Sequence, residues 1–427
     1  MSSNSGKAGI IGLGDVGLPL AMEFARAGVK TVGVDVDRGR VAQLNQGQSY
    51  IDDIAPAEIK AAVDSGRFVA TTDYKNLAEV SAVSICVPTL LSKSKDPDMG
   101  YVASAIEKLA GVLRPGQTVI LESTVYPGAT EEFVKPLLEK SGLKAGVDFY
   151  LAFSPERIDP GNKKYAVRDI PKVVGGIDAE SSRRAVEHYR QVFNKVIPVG
   201  STRVAEMAKL VENTFRAVNI GLVNELAIAA HSMGIDIWDV IDAAATKPFG
   251  FMPFYPGPGW GGHCIPIDPF YLTWRARADN AEIEFIEHAG RVNRQMPRYT
   301  VGRVMEMLNN DGKALKGAHV MVLGAAYKRD VRDVRESPAL ELMDLFEKHG
   351  AHVVYHDPHV LSFVAGGASR TSVPLTADTL SKQDCVVIAT DHRVTDYEMV
   401  AKHATRVLDC RNAMGLLRTK YPHIARL

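Results

Sequence analysis

From Ala8 toward residue 200, short apolar runs alternate with amphipathic stretches, and glycines mark several of the junctions. Ala8 to Ile11 reads as a buried strand, Leu18 to Ala27 as a helix closed by Gly28, and Thr31 to Val34 as a second strand. Further strand-like runs follow at Ala82 to Val87, Thr118 to Glu122 and Lys172 to Val174. Between Ser201 and Met233 the pattern becomes one long helical run with few breakers. Its apolar positions are Val204, Met207, Ala208, Val211, Phe215, Val218 and Leu222, close to a stripe of helical period. From Ala318 the alternation returns: His319 to Leu323 is a strand ending at Gly324, and Ser337 and Pro338 look like an N-cap and first helical position. Gly350 closes that helix, and Val353-Val354, Val386 to Ala389 and Val407-Leu408 supply more strands. Met305 and Met307 read as core.

The first strand runs into Gly12-Leu13-Gly14-Asp15-Val16-Gly17 and then a helix, the order of a βαβ unit that offers backbone N–H groups to a pyrophosphate. Asp35 ends the second strand, eighteen residues after Gly17, where a carboxylate accepts hydrogen bonds from a ribose diol and repels a 2′-phosphate. That favours NAD over NADP, with Arg38 and Arg40 nearby as the opposing signal. The expected fold is α/β: two Rossmann-like doubly wound domains joined by a long helix in a helical central domain. The expected boundaries are 1–200, 201–300 and 301–427.

Composition narrows the class of protein. The 427 residues carry a formal net charge of +0, which gives no support for nucleic-acid or membrane-surface binding. No apolar run approaches the length of a membrane span. The amino terminus is polar, so no signal peptide is expected, and a reducing cytosol is the expected compartment. Four dispersed cysteines (Cys86, Cys264, Cys385 and Cys410) form no CxxC pair, which argues against disulfides and a zinc site. The twelve histidines show no HxH or HExxH spacing, so no catalytic metal is expected. His356 and His359 flank Asp357-Pro358, where a turn is the better explanation.

The densest chemistry lies in Gly257-Pro258-Gly259-Trp260-Gly261-Gly262-His263-Cys264-Ile265-Pro266-Ile267-Asp268. Glycines let backbone approach a ligand closely, and a thiol on such a loop suits covalent catalysis. His263 beside Cys264 is discounted as a base, because adjacent side chains on an extended loop point apart. Glu206, Lys209 and Asn213 share one helix face; Lys209 and Asn213 would stabilise an alkoxide or fix a water, against the plainer reading of a Glu206–Lys209 salt bridge. Glu156 reads as a base or as a partner of Arg157, and Thr124 as a hydrogen-bonding hydroxyl or an ordinary strand end.

Taken in order, Gly12-x-Gly14-x-x-Gly17, Glu122-Ser123-Thr124, Ser154-Pro155-Glu156-Arg157, Glu206-x-x-Lys209-x-x-Glu212-Asn213, the Cys264 loop and Lys328-x-Asp330-x-x-Asp333-x-Arg335-Glu336-Ser337 resemble the UDP-glucose/UDP-N-acetylhexosamine 6-dehydrogenase family over nearly the whole chain. The resemblance implies a four-electron, NAD-dependent oxidation of a nucleotide-sugar C6 alcohol, through a thiohemiacetal and a thioester on Cys264. It implies catalytic roles for Cys264, Lys209, Asn213, Asp268, Glu156 and Thr124. It places the cofactor on Gly12 to Gly17, Asp35, Arg40, Thr89, Thr124 and Arg335. Substrate contacts fall on Glu156, Arg157, Lys209, Asn213, Tyr255, Gly257, Gly259, Gly261, Lys328 and Arg411. A homodimer or higher assembly, built through the long helix, and a product destined for surface polysaccharide are also implied.

Two departures, Pro160 where relatives acting on UDP-glucose commonly carry a second glutamate and the Lys247 to Tyr255 loop without the arginine that many relatives carry, resemble the UDP-N-acetylglucosamine branch. UDP-N-acetylmannosamine, UDP-N-acetylgalactosamine and UDP-glucose remain alternatives. So do two-electron β-hydroxyacid oxidation, which has no use for Cys264, and a non-catalytic nucleotide-sugar binding module.

Overall fold

The computed structural model describes residues 6–51, 53–92, 96–158, 164–262 and 264–427. The chain divides into two compact units, Met1–Glu212 with Phe270–Ala281, and Asn213–Pro269 with Glu282–Leu427.

The first unit is built on β1 (Ala8–Ile11), β2 (Thr31–Val34), β3 (Phe68–Thr71), β4 (Ala82–Ile85), β5 (Thr118–Leu121), β6 (Tyr150–Phe153), β7 (Lys172–Gly176) and β8 (Val196–Pro198). Among the described residues they form one sheet in the order β8-β7-β6-β5-β4-β1-β2-β3, parallel except where β7 turns antiparallel to β6. The strands β1, β4 and β5 are buried along their whole length, as expected of central strands covered on both faces. Chain order reverses between β1 and β4, and that is where an open α/β sheet has a crevice. Helix α1 (Gly17–Arg26) buries Leu18, Leu20, Met22 and Phe24 in the core cluster that includes Ile10 of β1. It ends where Gly28 adopts φ +86° and the Val29 N–H turns back to Phe24 O, a Schellman-type stop.

The second unit carries β9 (His319–Leu323), β10 (His352–His356), β11 (Cys385–Ile388), β12 (Val407–Asp409) and β13 (Ile424–Arg426). These form an all-parallel sheet in the order β10-β9-β11-β12-β13. Helix α6 (Pro338–Lys348) begins at Ser337, whose side chain accepts from the Ala339 N–H, as the sequence predicts. The run from Ser201 becomes helix α2 (Thr202–Ser232), followed by α3 (Ile237–Ala245), α4 (Asp268–Ala278) and α5 (Glu284–Asn310). Gly221 lets α2 and α5 touch: a Cβ there would lie 2.8 Å from Ala289 Cβ. The apolar stripe on α2 points outward, with Val204, Val211, Phe215 and Leu222 each about half exposed. Met305 is a correction to the expected core, since it lies exposed on α5, whereas Met307 packs partly buried against the core.

The turn expected at Asp357 organises the second sheet. Its carboxylate accepts hydrogen bonds from the N–H groups of Ala325 (2.7 Å), Ala326 (2.9 Å), His359 (2.8 Å) and Val360 (2.9 Å). His392 Nδ1 accepts from the Asp330 N–H, so its Nε2, 3.0 Å from the carboxylate, is the nitrogen that donates to Asp357. These donors hold the Asp357 carboxyl down at about 2 despite burial, which pushes the other way. A depressed carboxyl stabilises the fold above the unfolded-state pKa and loses that contribution as pH falls toward 2. Asp357→Asn is therefore expected to lower the thermal midpoint at neutral pH, by a loss on the order of 2–3 kcal/mol. The gap between variant and wild-type midpoints should close as pH drops from 5 toward 2; a gap independent of pH would contradict this assignment.

Candidate active site

The first unit builds a nucleotide cradle at the carboxyl ends of its central strands. Gly12 turns the chain off β1 at φ +88°, where a Cβ would meet Cys86 O at 2.7 Å. A Cβ on Gly17 would lie 1.8 Å from Gly12 O, so both glycines are demanded by packing. Gly14 has nothing within 4 Å of where a Cβ would be, which leaves open space for a ligand. No side chain caps α1; the Leu18 N–H donates to Gly14 O at 3.1 Å and Pro19 has none, which leaves the Gly17 N–H of the first turn to an anion. Asp35 is buried and accepts from Leu13 N at 2.8 Å and Asp37 N at 2.9 Å. Each carboxylate oxygen keeps a lone pair after that, so Asp35 fixes the loop and can still accept from a diol.

The Tyr50 hydroxyl donates to Leu13 O at 2.5 Å, and burial next to Asp35 pushes its phenol well above the ordinary value. Arg40 lies 3.7 Å from Asp37 and over the Tyr50 ring. Thr89 and Thr124, both half-buried, follow the neighbouring strands β4 and β5. A hydride-accepting dinucleotide fits these residues: open space at Gly14, a helix N-terminus with no side-chain cap on α1 and a loop-bound carboxylate at Asp35.

Glu156 follows β6, with Oε1 accepting from the N–H groups of Arg157 (2.6 Å) and Ile158. Burial raises its pKa, while Lys172 (3.7 Å from Oε2), the Ile158 N–H and Lys209 oppose the rise. The Arg157 guanidinium pairs with Glu212 (2.7 Å) and Pro171 O, so the expected alternative of a Glu156–Arg157 ion pair does not form. The plainer reading of Glu206 is also corrected. Its buried carboxylate accepts from Gly128 N (2.6 Å) and Thr130 N (2.8 Å), and Lys209 makes no ion pair among the described residues.

The second unit presents the cysteine. The Cys264 carbonyl accepts from Ile267 N (3.1 Å) and Asp268 N (2.8 Å), and this turn opens α4. Asn213 Nδ2 then donates to the buried Asp268 Oδ2 at 2.5 Å. Of the four cysteines, Cys86, Cys385 and Cys410 are buried, and burial pushes each thiol up, Cys385 to about 12. Cys264 alone is partly exposed, which is what a nucleophile requires.

The glycines ahead of Cys264 also let the chain pack closely on itself. A Cβ on Gly261 would meet Glu336 O and Tyr327 Cβ at 2.8 Å, and one on Gly262 would strike the Tyr327 ring at 2.7 Å. Gly262 N donates to Arg335 O at 3.0 Å. Gly257 N donates to Asn224 Oδ1 (2.9 Å), and Asn224 Nδ2 donates to Asn293 Oδ1 (2.8 Å). Gly259, at φ +132°, supplies the turn. The buried Asn224–Asn293 amide pair was missed in the sequence, where its signal is an asparagine inside an apolar helical stretch.

Arg411 sits beside Gly257, with Nε donating to Ala389 O at 2.8 Å, and burial pushes its guanidinium below the ordinary value. Arg335 pairs with Asp333 (2.6 Å), and Lys328 is half-buried on the loop after β9. Tyr255 stacks on Trp238 (5.2 Å between centroids) and donates to Asp242 (2.8 Å). Asp330, His359 and His392 bring ligand-type atoms within 4.8 Å of one another, but both His392 nitrogens are already engaged. His263 and Pro160 lie outside the described residues.

Among the described residues no helix is long and apolar enough to cross a membrane. The chain matches the UDP-glucose/GDP-mannose dehydrogenase family in its NAD binding domain (residues 6–194), central domain (203–295) and UDP binding domain (321–415). It is similar to a UDP-N-acetyl-D-glucosamine 6-dehydrogenase of Pseudomonas aeruginosa, 39% identical over 83% of each chain. A solved UDP-D-ManNAc dehydrogenase of Pyrococcus horikoshii superposes with a TM-score of 0.87 at 34% identity, covering 95% of this chain and 96% of that one. A UDP-glucose dehydrogenase of Pyrobaculum islandicum superposes at 0.86 and 29% identity, covering 100% and 97%. With three successive domains matched and a glycine cradle suited to a dinucleotide, the chain belongs to the UDP-glucose/GDP-mannose dehydrogenase family and is an NAD-dependent UDP-sugar oxidoreductase.

Proposed function

We propose that this protein oxidises the C6 alcohol of UDP-N-acetylglucosamine to the carboxylate in the cytosol, through a thioester on Cys264, as a step toward surface polysaccharide. The observation that carries the covalent course is the partial exposure of Cys264, at the head of the turn that delivers Asp268 to Asn213. The similarity to the Pseudomonas aeruginosa enzyme supports the choice of sugar. In this reading residues 1–200 bind NAD, 201–300 form a dimerisation domain, and 301–427 bind the UDP-sugar.

NAD, when bound, accepts the hydride in each of the two oxidations. The Cys264 thiol adds to the aldehyde carbon, forming a C–S bond and a thiohemiacetal whose C–H remains available for the second oxidation. Lys209 and Asn213 stabilise negative charge on the reacting oxygen, with Asp268 holding the Asn213 amide in place. Glu156 takes a proton from water as hydroxide adds to the thioester carbonyl. The C–S bond then breaks and returns the electron pair to the Cys264 sulfur. Thr124, Thr89, Asp35, Arg40 and Arg335 serve the cofactor. Lys328, Arg411, Arg157, Tyr255, Gly257, Gly259 and Gly261 serve the nucleotide sugar. The desolvated Arg411 guanidinium supports that assignment, because a diphosphate would neutralise it.

UDP-N-acetylmannosamine is the second reading, favoured by the match to the Pyrococcus horikoshii structure. With limiting UDP-sugar and excess NAD, UDP-N-acetylglucosamine is expected to yield two NADH per sugar. One NADH would mean release of an aldehyde, and two from UDP-N-acetylmannosamine alone would move the assignment to that sugar. Cys264→Ala is expected to lower overall turnover by at least about a thousandfold, as for loss of a nucleophile that acts as a unit with its neighbours; full turnover would exclude the thioester.

The outward stripe of α2 fits a second copy of the chain, since Val204, Val211, Phe215, Leu222 and Leu226 recur at helical spacing. Light scattering should report at least a dimer, and Val211→Asp with Leu222→Asp should yield a monomer. A wild-type monomer mass at all concentrations would contradict the dimer.

A further inference from the structure

Three ionisable groups are shut away together beside the carboxyl ends of β5 and β6. Glu122, directly after β5, is fully buried, and its Oε2 accepts from Lys172 Nζ at 2.5 Å. Its Oε1 accepts from the Tyr189 hydroxyl at 2.5 Å, and that hydroxyl lies 3.2 Å from Ser84 Oγ. Lys172, the first residue of β7, extends its ammonium over the rings of Tyr189 (5.1 Å) and Phe193 (5.5 Å). It also donates to Pro155 O at 3.3 Å. On its other side Glu156 Oε2 stands at 3.7 Å, close enough to feel the charge but beyond hydrogen-bond distance.

The charges in this pocket do not cancel. Two carboxylates face one ammonium, and an uncompensated buried charge is costly. Glu122 is the better satisfied acid, with an ammonium and a phenol on separate oxygens. Glu156 has two backbone N–H groups on one oxygen and the more distant ammonium facing the other. The other titratable neighbours are Lys209 on α2, which attracts Glu156, and the Cys86 thiol after β4, which burial keeps protonated. Of the two acids, Glu156 is therefore the one whose carboxylate is less fully satisfied. A small recess bordered by Ile158, Val167, Ile170, Pro171 and Phe193 reaches both Glu156 and Lys172.

We propose that Lys172 and Glu122 are a buried positioning pair that sets the proton affinity of Glu156 from opposite directions, the ammonium holding it anionic and the carboxylate returning it toward the neutral acid. Neither residue touches the reacting atoms; both act through Glu156. The inference rests on the reading of Glu156 as the base for thioester hydrolysis. It goes further in naming what fits that carboxyl to exchange a proton with water and give it up again within a turnover.

The test is a direct titration of the Glu156 carboxyl by infrared difference, each protein being compared with the same protein carrying Glu156→Gln. Lys172→Met is expected to raise the midpoint by about one pH unit or more, and Glu122→Gln to lower it. Lys172→Arg keeps the charge and should remain near wild type. The double variant Lys172→Met, Glu122→Gln strands no charge and should fall between the two singles, which covers the case in which Lys172→Met alone does not fold. Midpoints that coincide, or that move the same way in both singles, overturn the pairing. The acid limb of the kcat profile should follow the same order, with KM for the UDP-sugar changing less than about twofold; a loss of kcat with an unmoved limb would show a merely structural role. Because the infrared readout needs no turnover, it judges the pair separately from the NADH count, which judges the reaction.

Discussion

Both sheets turn on the same constraint: a glycine with positive φ at the end of the first strand, pressed against the carbonyl of a neighbouring segment. At Gly12 a Cβ would meet Cys86 O at 2.7 Å, and at Gly324 it would meet Thr390 O at 2.6 Å. In each sheet an aspartate at the end of the adjacent strand then gathers the loop by its N–H groups. Asp35 takes one N–H from the loop after β1, at Leu13, whereas Asp357 takes two from the loop after β9 and three further donors. The first loop stays open above Gly14 and can receive a dinucleotide. The second is tied down by a saturated carboxylate with no capacity left for a ribose, and the nucleotide-sugar contacts proposed there fall instead on side chains such as Lys328 and Arg411.

Around this frame, buried carboxylates separate into structural and chemical ones by what already satisfies them. Glu206 is occupied by Gly128 N and Thr130 N, and Asp268 clasps Asn213. Glu156 is left with a raised proton affinity beside an ammonium it does not bond. A carboxyl of that kind takes up a proton more readily than a free one, whereas a saturated one such as Asp357 is held as an anion. The same sorting applies to thiols: three of the four are sealed in hydrophobic surroundings, and Cys264 is the one with access.

Much of this was legible in the chain, and the rest was hidden for physical reasons. Strands such as β1, β2 and β9 announce themselves as apolar runs ended by glycine or a polar residue, and the glycine motif with Asp35 located the cofactor cradle. Strand β3 escaped because it alternates buried and exposed positions, and β8 and β13 because they are three-residue edge strands. Lys172 and Tyr189 carried no signal near Glu122, from which they are separated by 50 and 67 residues. The glycine spacing of the Cys264 loop shows that backbone approaches something closely there, but not that Tyr327 and Glu336 are among the neighbours. The residue type of Met305 does not show which face of α5 it occupies, and that face is exposed.

The most direct test of the account is the intact mass of the Glu156→Gln protein mixed with UDP-N-acetylglucosamine and NAD. Slowed hydrolysis should trap the sugar-nucleotide acid as a thioester, visible as a single adduct that maps to Cys264 and is absent when Cys264→Ala is added. First-turnover NADH with no adduct, and free aldehyde in solution, would contradict the covalent course.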